Sequence, residues 1–111
     1  MTTRSKRKGD NAERELAKLL ADLVGGNVRR KLGAGRQDDQ GDIDGIPATT
    51  VEVKSYADIT RAIRDGLDDL TREHANTDNT FAVCFVRRPG GRWIAVMTPE
   101  QWATYHRETL T

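Results

Sequence analysis

The chain has 111 residues, 32% charged and 36% hydrophobic, with a formal net charge of +1, a balance that suits one soluble domain around a single modest core. No apolar run approaches the roughly 18 residues of a membrane span, and no apolar signal segment follows the basic N-terminus, so a cytoplasmic protein without membrane contact is expected. A single cysteine, Cys84, excludes an intrachain disulfide and a four-cysteine zinc site, and its place within FAVCFV marks it as a buried small hydrophobe.

Residues 1–9 are polar and basic without apolar periodicity, which predicts a flexible arm ahead of one domain spanning 10–111. A first helix is expected from Asp10, an N-cap residue type, to about Val24, with Gly25-Gly26 ending it. Ala12, Leu16, Leu19, Leu20 and Leu23 form its apolar stripe. Glu13 borders that stripe and can look into the protein; with Asp10 it also has the spacing of a capping box. Asn27 to Lys31 is a short strand candidate, and Leu32 to Gln40, polar and with Gly33 and Gly35, reads as a loop.

The stretch Gly41 to Tyr56, GDIDGIPATTVEVKSY, combines two aspartates, a Gly/Pro turn signal and a strand ending in Val51-Glu52-Val53-Lys54. Successive strand residues point to opposite faces, so Glu52 and Lys54 share one and Val51 and Val53 the other. If the segment folds as a hairpin, Asp42 or Asp44 comes alongside Glu52; Pro47 leaves the register open. The competing reading is an amphipathic hairpin whose charges face water.

A second helix fits Asp58 to about His74, with Ile59, Ile63, Leu67 and Leu70 inward and the acidic residues on the other faces. Thr80 to Val86 is a central strand buried on both faces. Arg88-Pro-Gly-Gly turns into a strand from Arg92 to Met97. Thr98-Pro99-Glu100-Gln101 supplies an N-cap, a proline at the first helical position and a capping-box glutamine, predicting a last helix to about Leu110 with Trp102 inward. His74 and His106 match no ligand spacing and are read as surface residues. The order αβββαββα gives an α/β fold, helices flanking a mixed five-stranded sheet.

Charge is segregated along the chain. Basic residues gather at Arg4, Lys6, Arg7 and Lys8, at Arg29, Arg30, Lys31 and Arg36, and at Arg87, Arg88 and Arg92; acidic ones gather at 38–44 and along the second helix. Such segregation suits a protein that grips phosphates and holds a metal in an acidic pocket. Phosphodiester hydrolysis needs an activated water and a cation to stabilise charge on the phosphate oxygens. Asp42 and Glu52 could hold that cation with the Val53 carbonyl, and Glu13 could add a carboxylate. Lys54 could orient or deprotonate the water, or offset phosphate charge. A hard, oxygen-only set of this kind suits Mg²⁺ or Mn²⁺.

An acidic residue followed by Glu52-Val53-Lys54 on a strand, with a glutamate on a preceding helix, resembles the PD-(D/E)xK nuclease superfamily. Arg7-Lys8-Gly9-Asp10-Asn11-Ala12-Glu13-Arg14-Glu15-Leu16 resembles the opening of archaeal-type Holliday-junction resolvases. Arg30 through Gly35 and Arg92-Trp93-Ile94-Ala95-Val96 resemble that family's basic strand with its loop and its last core strand. The resemblance covers most of residues 6–97. It implies a restriction-endonuclease-like fold and a metal-dependent endonuclease that cuts four-way DNA junctions. Glu13, Asp42 and Glu52 would be the metal-site carboxylates and Lys54 the catalytic lysine. Arg14 and Arg30 would contact DNA near the scissile phosphate, while the segments holding Lys6, Arg7, Lys8, Arg29, Lys31 and Arg36 track the backbone. Cutting two strands with one carboxylate cluster per chain implies a homodimer, and no nucleotide cofactor is expected. The segment between Asp42 and Glu52 is shorter than expected for the archaeal enzymes, so Asp44 stays open as the ligand. The small size would suit a prokaryotic or phage enzyme. Other readings are a small nuclease of the same superfamily acting on nicks, flaps or duplex, a non-catalytic DNA-binding module on the same fold, and a plain structural or interaction domain.

Overall fold

The computed structural model describes residues 4–31 and 40–110, the first four of these as backbone only. Along them run α1 (Arg4–Val24), β1 (Arg29–Arg30), β2 (Ile43–Asp44), β3 (Thr49–Lys54), α2 (Ile59–Ala75), β4 (Phe81–Arg88), β5 (Arg92–Val96) and α3 (Pro99–Thr109). The succession αβββαββα and the α/β class agree with the reading of the sequence. Arg36 lies outside the described residues. No described helix is long and apolar enough to cross a membrane.

β3 pairs with β4 in parallel and β4 with β5 antiparallel, while β1 and β2 form a separate antiparallel pair. The single five-stranded sheet that was expected is therefore divided in two. β1 and β2 have two residues each, too few to build a ladder along β3. The pieces meet where the Asp42 N–H donates to the Val51 carbonyl at 2.7 Å. Gly41 makes that approach possible: at φ +113° a Cβ would stand 2.8 Å from the Val51 oxygen.

Both faces of β3 are covered. Val51 and Val53 pack with Ala12, Leu16, Ala17 and Leu20 of α1. On the other face α2 lies over β4, with Ala62 and Leu70 against Ala82, Cys84 and Val86. A parallel pair needs a crossover, and α2 provides it. Gly66 sets its closeness: a Cβ there would stand 2.5 Å from the Cys84 sulfur and 3.2 Å from Lys54 Cγ.

Several expectations are corrected. α1 begins at Arg4 rather than Asp10, so residues 4–8 form its first turns instead of a flexible arm. Leu23 is 70% exposed and Leu19 borders solvent, because the stripe that buries runs through Ala12, Leu16, Ala17 and Leu20. On α2 the buried stripe is Ala62, Gly66, Leu70 and Glu73, rotated from the Ile59–Ile63–Leu67 line toward small residues that allow close packing. Trp102 does not turn inward: it is 58% exposed and stacks on His106, while Phe81 stacking on Tyr105 at 4.4 Å anchors α3 to β4. His74 is half-buried rather than on the surface, its Nε2 2.7 Å from the Asn79 carbonyl.

Candidate active site

The site grows from β3. The Val53 N–H donates to Asp42 Oδ2 at 2.8 Å and to Glu52 Oε1 at 3.2 Å, so both carboxylates converge on one backbone amide. They are buried, Asp42 to 6% and Glu52 to 2% exposure. Within a strand the N–H and C=O of one residue project to the same edge, so the Val53 carbonyl faces the edge at which Asp42 stands. Lys54 Nζ lies 3.5 Å from Glu52 Oε2 and 2.6 Å from Asp69 Oδ2. Glu52 and Lys54 thus share a face as expected, but that face is roofed by α2 instead of by water. α2 also contributes Glu73, 2% exposed and electrostatically coupled to Glu52.

Burial of carboxylates in a low-dielectric setting dominates the electrostatics, and neighbouring carboxylates add to it. Burial, reinforced by the negative charge of Glu73, raises Glu52 to about 7 against the opposing hydrogen bond with Asp42 and the charge of Lys54. Burial and then the charge of Asp42 raise Glu13 to about 7, with Arg30 opposing. Burial by itself would lower Lys54, but the hydrogen bond to Asp69 and the charge of Glu52 outweigh it and leave the pKa raised. Lys54 is accordingly an ammonium held between two carboxylates, placed to orient a water or offset phosphate charge. Burial pushes the Cys84 thiol up to about 12, which removes it as a nucleophile at neutral pH.

Asp42, Glu52 and Lys54 are brought together, and Asp44 is not. Asp44 pairs across the strands with Arg29, at 3.0 Å and half exposed, on the outer side of the β1–β2 ribbon. Glu13 feels the charge of Asp42 but gives its carboxylate to Arg30 Nε at 2.8 Å. The capping box drawn between Asp10 and Glu13 does not form, since both residues lie within α1; Asp10 instead takes Arg30 Nη2 at 2.9 Å. Among the described residues, no three His, Cys, Asp or Glu side chains are grouped to hold a metal ion. The expected three-carboxylate centre is therefore not assembled, because Glu13 is turned to Arg30. The smaller set of Asp42, Glu52 and the Val53 carbonyl fits a hard divalent ion in donor chemistry. Two carboxylates in hydrogen-bond contact must share a proton or a cation.

The basic residues are spread around this centre. Arg14 is exposed, its guanidinium 3.4 Å from the Asn11 side chain. Lys31 reaches Gln40 at 3.3 Å, and Lys8 is exposed on α1. Arg30 is a partly buried clamp between Asp10 and Glu13, not an open contact. The side chains of Lys6 and Arg7 lie outside the described residues. Sequence reasoning missed Asp10 as a partner of Arg30, and Asp69 and Glu73 as companions of Lys54 and Glu52. The spacing of Ala62, Gly66 and Glu73, with the partly buried Asp69 beside them, carried a signal, but it is visible only if small and acidic residues are allowed on an inward face. No protein-family model, no curated protein and no solved structure matches the chain.

Proposed function

We propose that this chain is a metal-dependent, structure-selective DNA endonuclease of the PD-(D/E)xK kind, cutting four-way junctions by paired phosphodiester hydrolysis. The observation that carries the reading is the convergence of Asp42 and Glu52 on the Val53 amide with the Lys54 ammonium 3.5 Å from Glu52. Further support comes from the parallel β3–β4 pair, the junction of the two sheets at Asp42 and Val51, and the cations on α1 and β1. In this reading the two sheets stand for the restriction-endonuclease-like arrangement of five strands.

Asp42, Glu52 and the Val53 carbonyl would hold Mg²⁺ or Mn²⁺, which supplies Lewis-acid stabilisation of the phosphate oxygens and a more acidic water. The chain's own residues do the rest. Lys54, fixed by Asp69, presents its positive charge where negative charge develops on phosphorus oxygens. Glu13 and Arg30 form a gate beside Asp42: a phosphate that draws Arg30 away releases the Glu13 carboxylate toward the centre. Two symmetric cuts require two such centres, so the active species is a homodimer.

The test is cleavage of a synthetic four-way junction, with linear duplex and flap substrates alongside, with and without Mg²⁺. Mg²⁺-dependent paired nicking of the junction is expected, reduced by roughly a hundred- to thousandfold in Glu52→Gln. Equal cutting of all three substrates removes the junction preference, and full activity in Glu52→Gln removes the site.

A further inference from the structure

Beside Lys54 lies a cavity of about 470 Å³, bounded by α1, the end of β3 and the first turn of α2. Lys8, Lys54 and Arg61 line it, together with the Ser55 hydroxyl and the ring of Tyr56. Its size is within the range of small-molecule sites. We propose that this cavity takes one unstacked nucleotide next to the scissile phosphate, with its phosphate among Lys54, Lys8 and Arg61 and its base on Tyr56. The inference rests on the nuclease reading and names the substrate feature that the site recognises.

Three observations lead there. Lys54 belongs at once to the cavity and to the Glu52 cluster, so a phosphate held by Lys54 from the cavity side is already at the candidate centre. Tyr56 packs against the core beneath α2 and has Lys54 Nζ 5.7 Å and the Arg61 guanidinium 5.4 Å from its ring centre. An aromatic face held firm among cations is the combination that binds single-stranded nucleotides without reading sequence. Arg61 lies over the ring and would turn aside to admit a base; its side chain is 63% exposed and its pair with Asp65, at 3.5 Å, is a surface pair of little strength. A second cavity, about 550 Å³ at the C-terminal end of α2, sets Lys31 against Asp44 and Asp78 and is poorly suited to a phosphate. Stacking on one ring does not offset pulling a base out of continuous duplex, but it suffices where a branch has already unstacked one. The cavity thus gives a physical basis for preferring branched DNA.

The experiment uses the full chain as wild type, Tyr56→Leu, Tyr56→Phe, Arg61→Ala and, as a charge-matched control on α3, Arg107→Ala. Cleavage with Mg²⁺ is compared on continuous duplex and on the same duplex carrying one unpaired thymidine. The wild type is expected to favour the unpaired substrate about tenfold or more in kcat/KM. Tyr56→Leu should erase most of that ratio, Tyr56→Phe should keep it, Arg61→Ala should raise KM, and Arg107→Ala should change nothing. In parallel, thymidine monophosphate, thymidine and inorganic phosphate are titrated against each protein by NMR, with tighter binding of the monophosphate expected and lost in Tyr56→Leu. A wild-type ratio in Tyr56→Leu, or phosphate binding as tightly as the monophosphate, overturns the proposal. If the wild type cuts nothing, the nuclease reading fails; monophosphate binding lost in Tyr56→Leu then still supports the cavity as a nucleotide site, and its absence overturns that too.

Discussion

Burial alone would lower Lys54, but Asp69 and Glu52 on either side outweigh it and favour the ammonium. In the proposed nuclease the contribution of Lys54 would then be charge rather than proton transfer. Lys54→Arg should retain more activity than Lys54→Met, and the alkaline side of a pH–rate profile should show no limb that disappears in Lys54→Arg. Glu13 and Glu52 set a pH dependence of stability in the metal-free protein. Both are raised from 4.5 to about 7 in the folded chain, so between those values the folded state binds more protons than the unfolded state. Stability is greatest below the unfolded value and falls as pH rises through about 7, by on the order of 3 kcal/mol per group at most. Urea denaturation across pH should show that decline, and Glu52→Gln should make it shallower. Divalent cation added at neutral pH should recover stability by binding only the folded chain. A midpoint that rises with pH from 5 to 7 would contradict the burial of these carboxylates.

At the scale of elements, α2 carries the clearest conflict between local preference and packing. Gly66→Ala improves intrinsic helix propensity by about 1 kcal/mol, yet the new methyl would meet the Cys84 sulfur at 2.5 Å and Lys54 Cγ at 3.2 Å. Overpacking of this kind costs about 1–3 kcal/mol, so a net loss is expected, read as a lower urea midpoint. Removing the sulfur in Gly66→Ala/Cys84→Ala should recover part of it, a non-additivity that neighbours show and distant sites do not. The sequence displayed the extent of α2 well but hid its inward face, since Ala62, Gly66 and Glu73 lack the bulk that marks a core stripe. α3 is the opposite case. Thr98, Pro99 and Gln101 make the capping box that their spacing announces, with Gln101 N–H to Thr98 at 3.2 Å and Thr98 N–H to Gln101 at 2.8 Å. Local chemistry fixes that helix start, whereas the direction of Trp102 depends on how α3 leans on β4, which no local rule contains.

For the whole molecule, the arrangement of charge around an acidic centre would govern the proposed nuclease's encounter with DNA. Phosphate contacts release counterions, so affinity of the Glu52→Gln protein for a junction should fall steeply with salt, and Arg14→Ala should reduce the logarithmic salt slope by about 1. Sedimentation of the DNA complex should give two chains per junction if the paired-cut proposal holds. A salt-independent affinity, or one chain per junction with paired cuts, would count against that picture. Arg30 links this scale to the site: its bonds to Asp10 and Glu13 tie α1 to β1 across the mouth of the carboxylate cluster. Glu15 adds a second tie, accepting from Arg87 at 2.9 Å and from the Trp93 indole N–H at 3.4 Å.

The sequence alone determined the element order, the burial of Cys84 and β4, the cap of α3, and the sharing of one strand face by Glu52 and Lys54. All of these follow from short-range rules: side-chain period, turn residues, capping geometry. Tertiary structure decided the choices that such rules leave open. Asp42 rather than Asp44 stands beside Glu52, because Gly41 brings the Asp42 backbone against Val51 while Asp44 pairs outward with Arg29. Glu13 faces Arg30, and Glu73 and Asp69 complete the setting of Glu52 and Lys54, because α1 and α2 pack on opposite faces of β3. Proximity between elements far apart in the chain is a property of packing, and only packing could choose among carboxylates that look alike in the sequence.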